Sequence, residues 1–146
     1  MRRTGRAARL ARPSSPRPRC PVPLPLLTVF GASGAQGGSL ARALLPAGGG
    51  ARRWRVRAVT RRPGEAEALA ALGAEIIEGD LDDAASVQRA MHGAHGAFCM
   101  TDYFAHGSPA REVRQAGHLA EGARREGVQH VVWSTMEDTG RFSRFS

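Results

Sequence analysis

The stretch LLTVFGASGAQGGSLARALL (26–45) decides the fold. Its first five residues are a short apolar run suited to a buried strand. Its second half holds helix formers with Leu40, Ala43 and Leu44 on one face, which predicts a helix over 37–46 ended by Pro46 to Gly50. Between the two lie Gly31, Gly34 and Gly37. So tight a turn needs φ values that glycine adopts cheaply, and a missing Cβ lets backbone amides approach an anion. The free N–H groups at the helix start and the positive end of its dipole favour a pyrophosphate there. A glycine triplet alone is weak evidence in a chain with 18 Gly. Its place between a strand and a helix gives it weight.

Working outward, the alternation continues. WRVRAVT (54–60) reads as a strand, RRPG (61–64) as a turn, and EAEALAALG (65–73) as a helix closed by Gly73. AEIIEGD (74–80) is a third strand and DDAASVQRAMHG (82–93) a helix capped by Asp82 or Asp83. GAFCMT (96–101), a helix over 109–126 and VQHVVWS (128–134) complete the series. This order predicts a Rossmann-type, doubly wound α/β fold, a five-stranded parallel sheet ordered 3-2-1-4-5. The dinucleotide-binding domain is expected over 26–138, between an Arg/Pro-rich extension (1–25) and an irregular tail (139–146).

Composition removes several classes of protein. No apolar run approaches the ~18 residues of a membrane span. Cys20 and Cys99 make neither a disulfide framework nor a metal spacing, and His92, His95, His106, His118 and His130 show no ligand pattern. We read the histidines as surface or loop residues. The net charge of +8 suggests nucleic acid, but its distribution does not. Residues 1–64 carry fourteen Arg and no acid, while 65–146 carry seven Arg against thirteen acids, and seven of the early Arg precede residue 20. The basic surface therefore lies largely outside the folded elements that would meet phosphate. Prolines from Pro13 to Pro25 keep the extension free of helix and sheet. Its Arg-rich, acid-free composition matches a mitochondrial transit peptide, yet only residues 1–12 have room for the amphipathic helix such a signal needs. A cytoplasmic location, with the nucleus as a second site, is the expectation.

The end of the second strand selects the dinucleotide. NAD-selective sites place an acid there to accept from the ribose 2′-OH. This chain has Thr60-Arg61-Arg62 and no acid in 47–64. A guanidinium fork suits the 2′-phosphate of NADP(H), so NADP(H) is the expected cofactor. Asp80 and Leu81, after the third strand, are placed to meet the adenine, Asp80 also being a natural turn residue. Met100 and Thr101 close the fourth strand on the nicotinamide side.

With FGASGAQGGSLARALL, VTRRP, GAEIIEGDLDD, MTDYF and VVWSTMED in view, the chain resembles the NmrA-like family over about Leu27–Asp138. Those proteins are similar to short-chain dehydrogenases and often act as NADP(H)-sensing regulators. The resemblance implies a phosphate loop of Gly31, Ala32, Ser33, Gly34, Ala35, Gln36 and Gly37. It implies Arg61 and Arg62 at the 2′-phosphate, Asp80 and Leu81 at the adenine, and Thr101 to Phe104, Tyr103 included, beside the nicotinamide. Ser134 matches the serine of the dehydrogenases, but the chain has no Lys and its one Tyr precedes the fourth helix, so a Tyr-x-x-x-Lys pair is excluded. Measured against that family the chain stops after its fifth strand.

The expected function is therefore non-catalytic binding of NADP(H) by a redox-sensing regulator. An NADP-dependent reductase and a shortened product with little function are the alternatives. A protein partner or a second copy is expected on strand five, whose Val128, Val131, Val132 and Trp133 suit burial.

Overall fold

Strand β1 forms over Leu26–Phe30 because its residues are buried on both faces of a sheet, where a continuous apolar run is stable. The computed structural model describes residues 23–45 and 53–136. Most of the N-terminal extension, the residues expected to end the first helix, and the C-terminal tail lie outside the described residues. After β1 come α1 (Ala35–Leu44), β2 (Arg55–Thr60), a 3-10 turn (Pro63–Ala66) and α2 (Glu67–Ala71). Then follow β3 (Glu75–Glu78), α3 (Ala84–Met91), β4 (Gly96–Met100), a second 3-10 turn (Tyr103–Ala105), α4 (Pro109–Arg125) and β5 (His130–Ser134).

All four strand pairings are parallel, and the sheet order is β3-β2-β1-β4-β5, as the alternation predicts. Alternate residues serve opposite layers. Phe30, Val59 and Cys99 face α3 and α4, meeting Val87, Met91 and Leu119. Val29, Val56 and Ala58 face α1 and α2, meeting Ala41, Leu45 and Leu69.

Boundaries moved for identifiable reasons. Helix α1 starts at Ala35, two residues before the predicted start, because Gly34 is its N-cap and Ala35 and Gln36 already belong to its first turn. Strand β3 contracts to four half-exposed residues at the sheet edge. Strand β5 begins at His130, since Val128 N–H closes α4 by donating to Ala123 O at 3.0 Å. Of the two cap candidates Asp83 is the one used, accepting Ala85 N–H at 2.9 Å.

A polar anchor ties the sheet to the end of α3. The Arg57 guanidinium donates to the carbonyls of Ala90 (2.9 Å) and His92 (2.7 Å) and to Glu75 Oε1 (3.1 Å). The buried Thr28 hydroxyl donates to the same Ala90 carbonyl at 3.0 Å. A cation against the last carbonyls of a helix also matches the negative end of its dipole. This anchor fixes the height of α3, and with it the loop that leads from β3 to the site.

Candidate functional site

The carboxyl ends of β1 to β4 open into one cleft of about 270 Å³ at the point where the sheet order reverses. In open α/β sheets this is where ligands bind.

The glycine turn forms its floor. Gly31 adopts φ 67°, and a Cβ there would stand 2.9 Å from Met100 Sδ. Gly37 is needed for close approach: its Cβ would lie 2.5 Å from the Gly31 carbonyl oxygen and 2.8 Å from that of Phe30. Gly34 differs from both. Its φ is −85°, and a Cβ would meet only the Gly31 carbonyl, at 3.2 Å. The fold itself thus accounts for Gly31 and Gly37 but scarcely for Gly34, which is exposed to the cleft. Gly34 is also the N-cap of α1. No side chain caps that helix and no acid stands in its first turn, so the unpaired N–H groups there have no competing acceptor from a side chain.

At the end of β2 the Thr60 hydroxyl donates to Ser33 Oγ and accepts Arg62 N–H, each at 3.1 Å, locking the glycine turn to the next loop. The two arginines are not equivalent. Arg62 pairs with Glu65 at 2.8 Å, whereas Arg61 has no ion-pair partner among the described residues. Both line the cleft. Glu65 stands one residue past the acid-free stretch 47–64.

Asp80 and Leu81 line the same cleft. Asp80 is a turn residue as well, its carboxylate accepting Asp82 N–H at 2.9 Å. His118 Nδ1 donates to the Leu81 carbonyl at 2.8 Å and so pins this loop to α4. Thr101 lines the cleft and donates to Glu112 Oε1 at 2.7 Å.

Five of the expected site residues stand elsewhere. Ala32 is buried in the α1 layer, and Gly37 is covered by the turn. Ala35 is exposed outside the cleft wall, and Gln36 accepts the Ser134 hydroxyl at 2.6 Å. Tyr103 lies outside the wall, its ring set edge-on to Phe104 and His106. Asp102, within the expected Thr101–Phe104 span, lines the wall, which adds His106, Arg111 and Gln115, residues that sequence reasoning missed. His106 in particular is half-buried in the cleft wall, not a plain surface residue.

Arg111 strengthens the far wall. Its Nε lies 2.9 and 3.1 Å from the two Asp82 carboxylate oxygens, and its Nη2 also donates to Asp82, so the start of α4 is strapped to the β3–α3 loop. Arg114 adds a contact at 3.4 Å. These hydrogen bonds, Arg111 first, pull the Asp82 carboxyl down to about 2 from 3.8. Because the folded value lies below the unfolded one, the pair stabilises the fold above about pH 4, and the gain is lost as pH falls through about 2. The carboxylate is partly exposed, so the contribution is about 1 kcal/mol. Asp82→Asn is expected to lower the melting temperature at neutral pH and to flatten its fall on acidification. An acid melting profile identical to that of the unaltered chain would contradict this. By contrast, burial pushes the Cys99 thiol up to about 12, so it is inert as a nucleophile. Among the described residues no cluster of His, Cys, Asp and Glu has metal-binding geometry, and no helix is long and apolar enough to cross a membrane.

A parallel sheet of this order, with a glycine turn between β1 and an uncapped helix, defines a Rossmann-type dinucleotide-binding domain. The chain belongs to the NmrA-like family, whose profile matches residues 25–144. It is 39% identical over 124 residues to the NmrA-like family domain-containing oxidoreductase notA of Aspergillus sp. (strain MF297-2), covering 80% of this chain and 35% of that protein. Against the himF oxidoreductase of Aspergillus japonicus it is 39% identical over 115 residues, covering 75% and 34%. The chain thus spans about a third of the length of the curated relatives it matches. Among solved structures it superposes with a TM-score of 0.67 on NmrA, a negative transcriptional regulator, in complex with NADP, at 28% identity over 82% of this chain and 36% of that one. It superposes on the Citrobacter sp. triphenylmethane reductase complexed with NADP(H) with a TM-score of 0.62, at 25% identity over 75% and 36%.

Proposed function

We propose that this chain is the dinucleotide-binding part of a regulatory protein, taking up NADP(H) as a sensed ligand and not as a reactant. The observation that carries the reading is Arg61, a cation with no ion-pair partner among the described residues, at the end of β2 in the same cleft as the bare glycine turn. Phosphate at the turn and 2′-phosphate at Arg61 account for both features with one molecule. The remaining site residues follow: Gly31, Ser33 and Gly34 toward the pyrophosphate, Asp80 and Leu81 toward the adenine, and Thr101 toward the nicotinamide. The complex of NmrA with NADP supports the cofactor, and that protein's role as a transcriptional regulator supports sensing. The Ser134 hydroxyl, directed to Gln36, is not free to serve a reacting group. A cytoplasmic and nuclear location belongs to the same reading. So does a partner strand, or a second copy, on the open edge of β5, where Val131 and Val132 are exposed.

The second reading, an NADP-dependent reductase, is favoured by relatives named as oxidoreductases and by the triphenylmethane reductase neighbour. One experiment separates the two. NADPH is titrated into the full chain by fluorescence, and a quinone or a triphenylmethane dye is then added while NADPH absorbance is followed. Saturable binding without oxidation is the expected outcome. Steady NADPH consumption would establish the reductase instead.

A further inference from the structure

His106 stands in the turn between the Tyr103–Ala105 segment and α4. Its Nδ1 accepts Ser108 N–H at 3.1 Å, so a neutral ring carries its proton on Nε2. That Nε2 is the one buried side-chain nitrogen or oxygen without a hydrogen-bond partner among the described residues. A buried donor without an acceptor costs stability, and native folds rarely retain one without a use. The remaining contact of the ring is an edge approach to Tyr103, 6.1 Å between centroids, which does not satisfy a donor. Meanwhile the imidazole forms part of the cleft wall beside Met100, Thr101 and Arg111, on the half of the cleft away from Arg61. In the turn that carries it, Gly107 sits at φ +62° with open space where a Cβ would stand, and Phe104 is 86% exposed.

We propose that His106 is a ligand-binding residue, its Nε2–H donating to an oxygen of the nicotinamide–ribose half of the bound dinucleotide as the 103–108 turn settles on it. This rests on the NADP(H) reading above and adds to it the residue that senses the half of the molecule beyond the pyrophosphate. The donor, which has no acceptor within the described part of the protein, is satisfied when that half is bound.

The test compares NADPH with 2′,5′-ADP, which carries the adenine and 2′-phosphate but no nicotinamide. His106→Asn keeps an acceptor for Ser108 N–H and deletes the Nε2 donor. His106→Gln places an amide donor near the Nε2 position. In the full chain His106→Asn is expected to weaken NADPH about tenfold, to leave 2′,5′-ADP within twofold, and to leave the ligand-free melting temperature unchanged or raised. His106→Gln is expected to recover NADPH affinity to within threefold. Undiminished NADPH affinity in His106→Asn, or an equal loss for both ligands, overturns the role. If the unaltered chain binds neither ligand, the cofactor reading itself fails, and this role fails with it.

Discussion

NADPH is expected to bind the full chain at least tenfold more tightly than NADH at low ionic strength, and Arg61→Glu is expected to erase that preference. The two dinucleotides differ only by the 2′-phosphate, so the difference isolates what the end of β2 contributes. A charge-assisted contact to phosphate is worth about 1.5–3 kcal/mol, and 1.4 kcal/mol is about tenfold in affinity. Arg61 should carry most of it, because it has no ion-pair partner among the described residues, while Arg62 is engaged with Glu65 at 2.8 Å. Arg62→Glu alone should therefore cost less than Arg61→Glu. The double substitution sets an acid pair where the phosphate must come and should favour NADH. Both guanidinium groups are exposed, so added salt should compress the preference. Isothermal titration with both cofactors decides the matter. Equal dissociation constants in the unaltered chain would end the assignment of the β2 arginines to phosphate.

The second large effect separates ligand from scaffold within one turn. Gly34→Val should lower NADPH affinity at least about a hundredfold while the chain still melts cooperatively. The branched side chain must enter the cleft, since on the protein side it meets a single carbonyl at 3.2 Å that can give by a few tenths of an ångström. Gly37→Val should do the opposite. A Cβ 2.5 Å from the Gly31 carbonyl forces α1 off the sheet, at a cost of about 1–3 kcal/mol or more, whether or not ligand is present. Circular dichroism melts of both variants, beside NADPH titrations, give four values with a crossed pattern. Near-normal NADPH affinity in Gly34→Val would mean that the turn serves only the fold.

Much of the architecture was readable because strands and helices alternate with strong punctuation. The bounds of β1 agree with the apolar run Leu26–Phe30, and Gly73, Asp83 and Gly127 mark ends where the chain does turn. The start of α1 was not readable, because Ala35 and Gln36 lie inside the glycine spacing and look like turn residues until Gly34 is seen as the N-cap. The site divides in the same way. The half proposed to take phosphate is written locally, in a spaced motif and a pair of adjacent arginines. Its other half is assembled from residues distant in sequence, such as Arg111 and Asp82, 29 positions apart, and no local pattern announces such a contact. His106 was invisible for a further reason. An unsatisfied donor is a property of surroundings, and only coordinates reveal what a ring fails to touch.

The position of β1 has a consequence for how the molecule is made. Among the described strands it is the first to leave the ribosome, and it is the middle strand of the sheet, hydrogen-bonded to β2 on one side and β4 on the other. Leu27 finds its first neighbour in Val56 but must wait for Gly96 to find its second. Throughout that interval an apolar ribbon has one flank open, and the wait for so remote a partner makes folding slow as well as exposed. The most buried of the described strands is thus, until β4 emerges, the most vulnerable one.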